Sequence, residues 1–212
     1  MTELISHEYK PEGQAKMMLI LLHGYGANGA DLFGLKHFFK SRLGEDIIIL
    51  APDAPQICEI DMGEGYRQWF SLLERTPEAL LQGAQSAYPI LKSYIEEQLK
   101  KYDMPAQKLV IAGFSQGCMM SLYTGLRLSE APAAIVGWSG LYIADEGVKQ
   151  HPPVQLWHGT ADEAITPDAL GQAVSQLKRV SIEAENHMVT GMGHMIAPEV
   201  LEGSIQFILR HI

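Results

Sequence analysis

The stretch Lys108-Leu109-Val110-Ile111-Ala112-Gly113-Phe114-Ser115-Gln116-Gly117-Cys118-Met119-Met120-Ser121-Leu122-Tyr123 sets a serine between two glycines, after an apolar run and before a segment of helical character. An unbroken apolar run reads as a strand covered on both faces, so strand, sharp turn and helix follow within a few residues. A serine at such an elbow holds a strained backbone conformation, and flanking glycines let neighbouring elements approach closely enough to leave its hydroxyl exposed above the sheet. Hydroxyl oxygen is a weak nucleophile, so chemistry at Ser115 also needs a base and an orienting acid. An ordinary tight turn with a capping serine is the plain alternative, and the rest of the chain decides between them.

Downstream, Val154-Gln155-Leu156-Trp157 reads as a buried strand, and His158-Gly159-Thr160-Ala161-Asp162 leads off its end into a loop, where catalytic groups tend to sit. Asp162 is the acid this placement favours. Asp168 fits the first turn of a helix opened by Thr166 and Pro167. Further on, Gly191-Met192-Gly193-His194 sets His194 on a glycine-flanked loop before the last helix, which makes it the expected base. His187 is its competitor, because it lies within the expected last strand and would be aimed by the sheet. His7, His37, His151 and His211 read as surface or structural histidines.

Near the start, Met17-Met18-Leu19-Ile20-Leu21-Leu22 is another buried-strand run, followed by His23-Gly24-Tyr25-Gly26-Ala27-Asn28-Gly29. Acyl transfer develops negative charge on the carbonyl oxygen, which needs preorganised backbone N–H donors. A glycine-rich loop after an early strand supplies one donor and the residue after the nucleophile supplies the other. Those positions are Tyr25 and Gln116. A tight strand-to-helix connection would explain the glycines equally simply.

Apolar runs alternate with helical stretches along the whole chain. Strands are expected at Met17 to Leu22, Asp46 to Ala51, Lys108 to Ala112, Ala133 to Gly137, Val154 to Trp157, and within Val180 to Thr190. Helices are expected to begin near Gly29, Thr76, Ser115, Thr166 and Pro198; Thr76-Pro77-Glu78 and Thr166-Pro167-Asp168 each offer an N-cap, a first-turn proline and an acid for the helix dipole. This βαβ series predicts an α/β fold with a doubly wound, mostly parallel sheet and helices on both faces, in a single domain spanning residues 1–212.

Pro52 to Arg75 is the long irregular segment, rich in Gly, Pro and acids, with Trp69 and Phe70 near its end. It reads as one wall of a substrate site, the two aromatics either facing an acyl chain or anchoring the loop in the core. The segment Trp138-Ser139-Gly140-Leu141-Tyr142 follows another strand, and Leu141 is expected on the opposite wall. Glu59, Asp61 and Glu64 read as solvated loop acids, and their spacing does not resemble a zinc site.

Composition narrows the function further. A net charge of −9 with no run of lysines or arginines lacks the electrostatic footprint of a nucleic-acid binder and disfavours standing attachment to an anionic membrane. The apolar runs are far shorter than a bilayer span, and the start of the chain lacks the basic and apolar regions of a secretory signal. Two cysteines, Cys58 and Cys118, do not resemble a disulfide framework, so both are expected as free thiols in a cytoplasmic protein.

Taken together, the motifs Leu22-His23-Gly24-Tyr25-Gly26, Ala51-Pro52-Asp53-Ala54-Pro55, Trp69-Phe70, Gly113-Phe114-Ser115-Gln116-Gly117, His158-Gly159-Thr160-Ala161-Asp162 and Gly191-Met192-Gly193-His194 resemble the carboxylesterase, acyl-protein thioesterase and lysophospholipase group of small α/β-hydrolases. They span almost the whole chain. The resemblance implies an α/β-hydrolase sheet, a triad of Ser115, Asp162 and His194, and oxyanion donors at Tyr25 and Gln116. It also implies hydrolysis of carboxylic esters or acyl thioesters without metal or organic cofactor, on a small ester, an acylated protein or a lysophospholipid. The chain departs from the family pattern at Tyr25 (often leucine), Ser71 (often aspartate), Cys118 (often glycine) and Thr166 (often proline), positions that bear on substrate preference. Dienelactone-hydrolase-like and peptidase-like enzymes share the fold, though the former would carry cysteine as nucleophile; a binding module without turnover is the non-enzymatic alternative.

Overall fold

The runs Met17–Leu22 (β2), Ile47–Pro52 (β3), Leu109–Phe114 (β6) and Ala134–Trp138 (β7) form the centre of a seven-stranded sheet in the computed structural model, which describes residues 4–60 and 65–212. Ser6–Tyr9 (β1), Val154–Gly159 (β8) and Glu185–Val189 (β9) complete it in the order β1-β3-β2-β6-β7-β8-β9. Neighbours run parallel except β1, which pairs antiparallel to β3. The mostly parallel, doubly wound sheet expected from the βαβ series is therefore present.

Helices cover both faces: Gly29–Phe33 (α1), Lys36–Leu43 (α2), Pro77–Lys101 (α3), Gln116–Gly125 (α4), Asp168–Arg179 (α5) and Pro198–Leu209 (α6). Because strand side chains alternate, Met18, Ile20 and Leu22 pack with Leu91, Ile95 and Met120 of α3 and α4, while Met17, Leu19 and Leu21 pack with Phe39, Ile205 and Ile208 of α2 and α6. A third cluster joins Leu122 of α4 and Leu126 just past its end to Leu170 and Leu177 of α5. This double coverage is why the central strands read as unbroken apolar runs.

The chain leaves β2 toward β3 on one side and later returns to place β6 on the other. Connections diverge at this pair, the switch point at whose carboxyl ends such sheets bind ligands, and there Ser115 and the loop after Leu22 emerge.

Several local expectations are corrected. The edge strand β1 is made of Ser, His, Glu and Tyr with mostly intermediate burial, so it carries no apolar run to mark it. Helix α2 buries only Phe39 and Leu43 and has no side-chain cap, which leaves it equally unannounced. Thr76 does cap α3, its Oγ1 accepting from Ala79 N–H at 3.2 Å, but Thr166 caps nothing: α5 starts at Asp168 with Pro167 in the cap position. The Pro52 to Arg75 segment is not wholly irregular, since Gln56–Ile57 (β4) and Arg67–Gln68 (β5) pair as a small antiparallel hairpin. Asp61 and Glu64 lie outside the described residues. Among the described residues no helix is long and apolar enough to cross a membrane.

Candidate active site

Ser115 follows directly on β6 and precedes the first residue of α4, with φ 55° and ψ −117°, a conformation that L-residues with a side chain rarely adopt. The flanking glycines are sterically required. A Cβ at Gly117 would lie 1.9 Å from the Leu22 carbonyl oxygen, and one at Gly113 would lie 2.2 Å from the Gly117 oxygen. The backbone at Gly24 also passes close to the nucleophile, as a Cβ there would come within 3.2 Å of Ser115 Cβ. The elbow and the loop carrying Tyr25 are thus neighbours.

The three groups expected to act together stand in one hydrogen-bonded line. His194 Nε2 lies 3.0 Å from Ser115 Oγ, and His194 Nδ1 lies 2.8 Å from Asp162 Oδ2. The loops bearing His194 and Asp162 are tied to each other by Ala161 N–H donating to Met192 O at 3.0 Å and Gly191 N–H donating to Thr160 Oγ1 at 2.8 Å. The Phe114 ring packs 4.8 Å from the His194 ring. Burial pushes the Asp162 carboxyl upward, but N–H bonds from Ile165 and Ala164 to Oδ1 and the His194 contact outweigh it and hold the group below its ordinary range. Asp162 is therefore held as a carboxylate. The competitors lie elsewhere: His187 stacks on Trp157 at 4.1 Å and bonds Glu185, and Asp168 opens α5.

Gln116 is the first residue of α4, so its N–H has no acceptor within the helix. Its side chain is already engaged, Oε1 accepting from Trp69 N–H at 2.9 Å and Nε2 donating to Phe70 O at 2.8 Å. Tyr25 is anchored through its phenol, which donates to Glu59 Oε1 at 2.8 Å; the same oxygen accepts from Leu72 N–H. Glu59 is thus a structural acceptor rather than a free loop acid. Gly26 N–H donates to Arg67 O and Arg67 N–H to Ala27 O, stitching the β4–β5 hairpin to the glycine loop.

Trp69 and Phe70 are 0% and 1% exposed and belong to the core cluster under α3, which corrects the reading of their side chains as an acyl-facing wall. They support the site from beneath through the Gln116 and His23 contacts. Leu141 is half-buried, packs against the cluster that holds Trp69 and Phe70, and follows Gly140, whose added Cβ would meet Ser115 O at 2.8 Å. Cys58 and Cys118 are both unpaired and buried, and burial raises the Cys118 thiol to about 12. Among the described residues no group of three or more histidine, cysteine or acidic side chains is arranged to hold a metal ion.

Two residues escaped the sequence reading of the site. His23 is fully buried, its Nδ1–H donating to Gly24 O at 2.7 Å and its Nε2 accepting from Ala54 N–H at 2.9 Å, which fixes the loop before Tyr25. His158 is the last residue but one of β8, its Nε2 3.3 Å from Asp162 Oδ2. Both sat in quoted motifs, and for His23 the signal available was a histidine directly after a wholly apolar run, where burial demands satisfied ring nitrogens.

The model of the phospholipase/carboxylesterase family matches residues 7–212. The acyl-protein thioesterase 1 of Debaryomyces hansenii is 31% identical over 92% of this chain and 90% of its own. The crystal structure of esterase PE8 superposes with a TM-score of 0.92 at 32% identity, covering 100% of both chains. The Bacillus cereus carboxylesterase shares the fold, with a TM-score of 0.77 at 18% identity over 99% of this chain and 95% of its own. With a strand-elbow-helix serine at the head of a mostly parallel sheet and a family match over nearly its full length, the chain belongs to the phospholipase/carboxylesterase family of α/β-hydrolases and is a serine hydrolase of the carboxylesterase and acyl-thioesterase type.

Proposed function

We propose that the protein cleaves carboxylic esters and acyl thioesters through an acyl-enzyme on Ser115. The observation that carries this reading is the continuous bond line Ser115 Oγ, His194 Nε2, His194 Nδ1, Asp162 Oδ2 at 3.0 and 2.8 Å. His194 takes the hydroxyl proton as Ser115 attacks the carbonyl carbon, and Asp162 holds the ring with its hydrogen on Nδ1 and steadies the imidazolium that forms. The N–H groups of Tyr25 and Gln116 receive the developing oxyanion. His194 then gives its proton to the departing alcohol or thiol, and a water activated by the same ring releases the acid.

The substrate is a small ester, an acylated protein or a lysophospholipid, a class supported by the relatives' acyl-thioesterase and esterase names. Half-buried Leu141 and Ile165 are the apolar contacts for its acyl chain, Leu141 beside the elbow and Ile165 on the Asp162 turn. The reading takes residues 1–212 as one catalytic domain built on the single seven-stranded sheet, and the free thiols suit a cytoplasmic setting.

A fluorophosphonate probe tests the nucleophile, since only an activated serine reacts rapidly. Stoichiometric labelling that disappears in Ser115→Ala is expected, and labelling that persists in that variant overturns the assignment. p-Nitrophenyl esters of increasing chain length, run beside a palmitoyl thioester, then rank the acyl groups.

A further inference from the structure

His158 shares a motif with Asp162 yet takes no part in the reaction as written above. It is 1% exposed, and its Nε2 lies 2.9 Å from Ile165 O and 3.3 Å from Asp162 Oδ2. A carbonyl and a carboxylate are acceptors only, so this nitrogen must carry the ring hydrogen. The N–H donates to Ile165 O, and the same nitrogen stands 3.3 Å from the Asp162 carboxylate without a hydrogen bond to it.

The acid is held through both oxygens. Asp162 Oδ2 takes His194 Nδ1–H, with the His158 Nε2–H dipole 3.3 Å away, while Oδ1 takes the amides of Ala164 and Ile165. Ile165 is gripped at both ends, its N–H giving to Asp162 and its carbonyl taking from His158. We infer that His158 is a positioning residue for hydrolysis: its Nε2–H fixes the 162–165 turn and draws off part of the charge that Asp162 presents to His194. This rests on the reading of Ser115, His194 and Asp162 as the reacting line.

The titratable groups facing His158 are Asp162 on the adjoining turn, His194 beyond that carboxylate, and the Cys118 thiol, which lines the same small cavity from α4 with Leu141 and Leu170. Without the His158 N–H dipole beside it, the carboxylate stabilises the imidazolium formed in the reaction more strongly. The acid limb of the rate profile then moves to higher pH. Loss of the bond to Ile165 O also loosens the 162–165 turn, so the aligned Ser115–His194–Asp162 geometry is populated less of the time, which lowers kcat more than it raises KM because His158 is 1% exposed.

The test uses the intact protein with p-nitrophenyl butyrate. His158→Leu keeps apolar bulk and removes the donor, whereas His158→Gln returns an N–H near the place of Nε2. Expected for His158→Leu is a kcat lower by about threefold to tenfold, the range for one hydrogen bond to a neutral carbonyl, with an acid limb displaced upward. His158→Gln restores the limb and most of the rate. An unmoved limb in His158→Leu, or an equal loss in both variants, overturns the inference. Should His158→Leu not fold, ¹⁵N spectra of the unaltered protein decide: hydrogen on Nε2 supports the role and hydrogen on Nδ1 ends it. Failure of the underlying reading would show separately, as turnover retained by Ser115→Ala or no fluorophosphonate labelling of the unaltered protein.

Discussion

The indole N–H of Trp69 donates to the carbonyl oxygen of His23 at 3.0 Å, joining the end of the β4–β5 hairpin to the loop that carries Tyr25. His23 holds that loop from the other side through Gly24 O and Ala54 N–H, so the segment proposed to meet the oxyanion is fixed by bonds on both flanks. Trp69→Phe keeps most of the ring volume and deletes this donor, leaving a buried carbonyl unpaired at a cost of about 1–3 kcal/mol. The expected outcome is a lower midpoint in urea together with a several-fold lower kcat, since the donors are no longer preorganised. A variant that loses stability while keeping full kcat would separate the Trp69 bond from the oxyanion loop.

Phe70 distinguishes a core side chain from a wall of the substrate site. It is 1% exposed, and a Cβ on Gly83 of α3 would lie only 2.4 Å from its ring, so the ring is taken up in packing against α3. Phe70→Ala should cost about 3–5 kcal/mol of stability, as large-to-small aromatic substitutions in cores do. The ratio of kcat/KM for butyrate and acetate esters should stay as it was. A changed ratio in protein that remains folded would return Phe70 to the wall.

Deleting members of the bond line gives the sharpest kinetic contrast. Ser115→Ala and His194→Ala should each remove nearly all turnover, and Asp162→Asn should lower kcat by roughly 10⁴ if it acts through the imidazole tautomer. His187→Ala should leave the rate within a few-fold, because that ring stacks on Trp157 rather than facing Ser115. Steady-state kinetics on one activated ester measures all four.

What the sequence made legible follows from how burial writes itself into residue choice. Central strands covered on both faces must be apolar throughout, so β2, β3, β6 and β7 could be read within a residue or so, and the Gly113 and Gly117 requirement marked the elbow between them. Edge strand β1 faces no such demand and was invisible for that reason. Trp69 and Phe70 were half legible: a Trp-Phe pair in a loop announces apolar burial, but not whether it is against a core or a ligand. The supporting bonds of His23, His158 and the Gln116 side chain depend on where distant loops meet, which no local pattern encodes.

Cys118 follows the elbow glycine at the start of α4, and a helix N-terminus activates a thiol that solvent can reach. Burial wins instead: the residue is 2% exposed, its thiol raised to about 12, with its sulfur against the backbone at Gly137 and Gly140. Iodoacetamide should leave Cys118 unmodified in the folded protein, and Cys118→Ala should retain most activity. Rapid alkylation coupled to inactivation would contradict this placement.

Stability should depend on pH in a direction set by two buried groups. His23 is held neutral, burial lowering it from its ordinary 6.5, so below pH 6.5 the unfolded chain binds a proton that the folded one refuses. Stability is therefore full above 6.5 and falls as pH drops toward the folded value, with a slope of up to about 1.4 kcal/mol per pH unit from this one residue. Asp162 acts in a lower window: its carboxyl lies below the ordinary 3.8, so its contribution is present above that value and is lost only as pH falls through the folded one. His211, lowered by burial and by Arg210, adds to the upper window. Urea midpoints at pH 7.5, 6.5 and 5.5 should thus decline from 6.5 downward. His23→Asn should be less stable at every pH yet show a shallower decline, because it lacks the proton that the unfolded state takes up. An identical slope in His23→Asn would assign the whole dependence to other groups and remove His23 from the account.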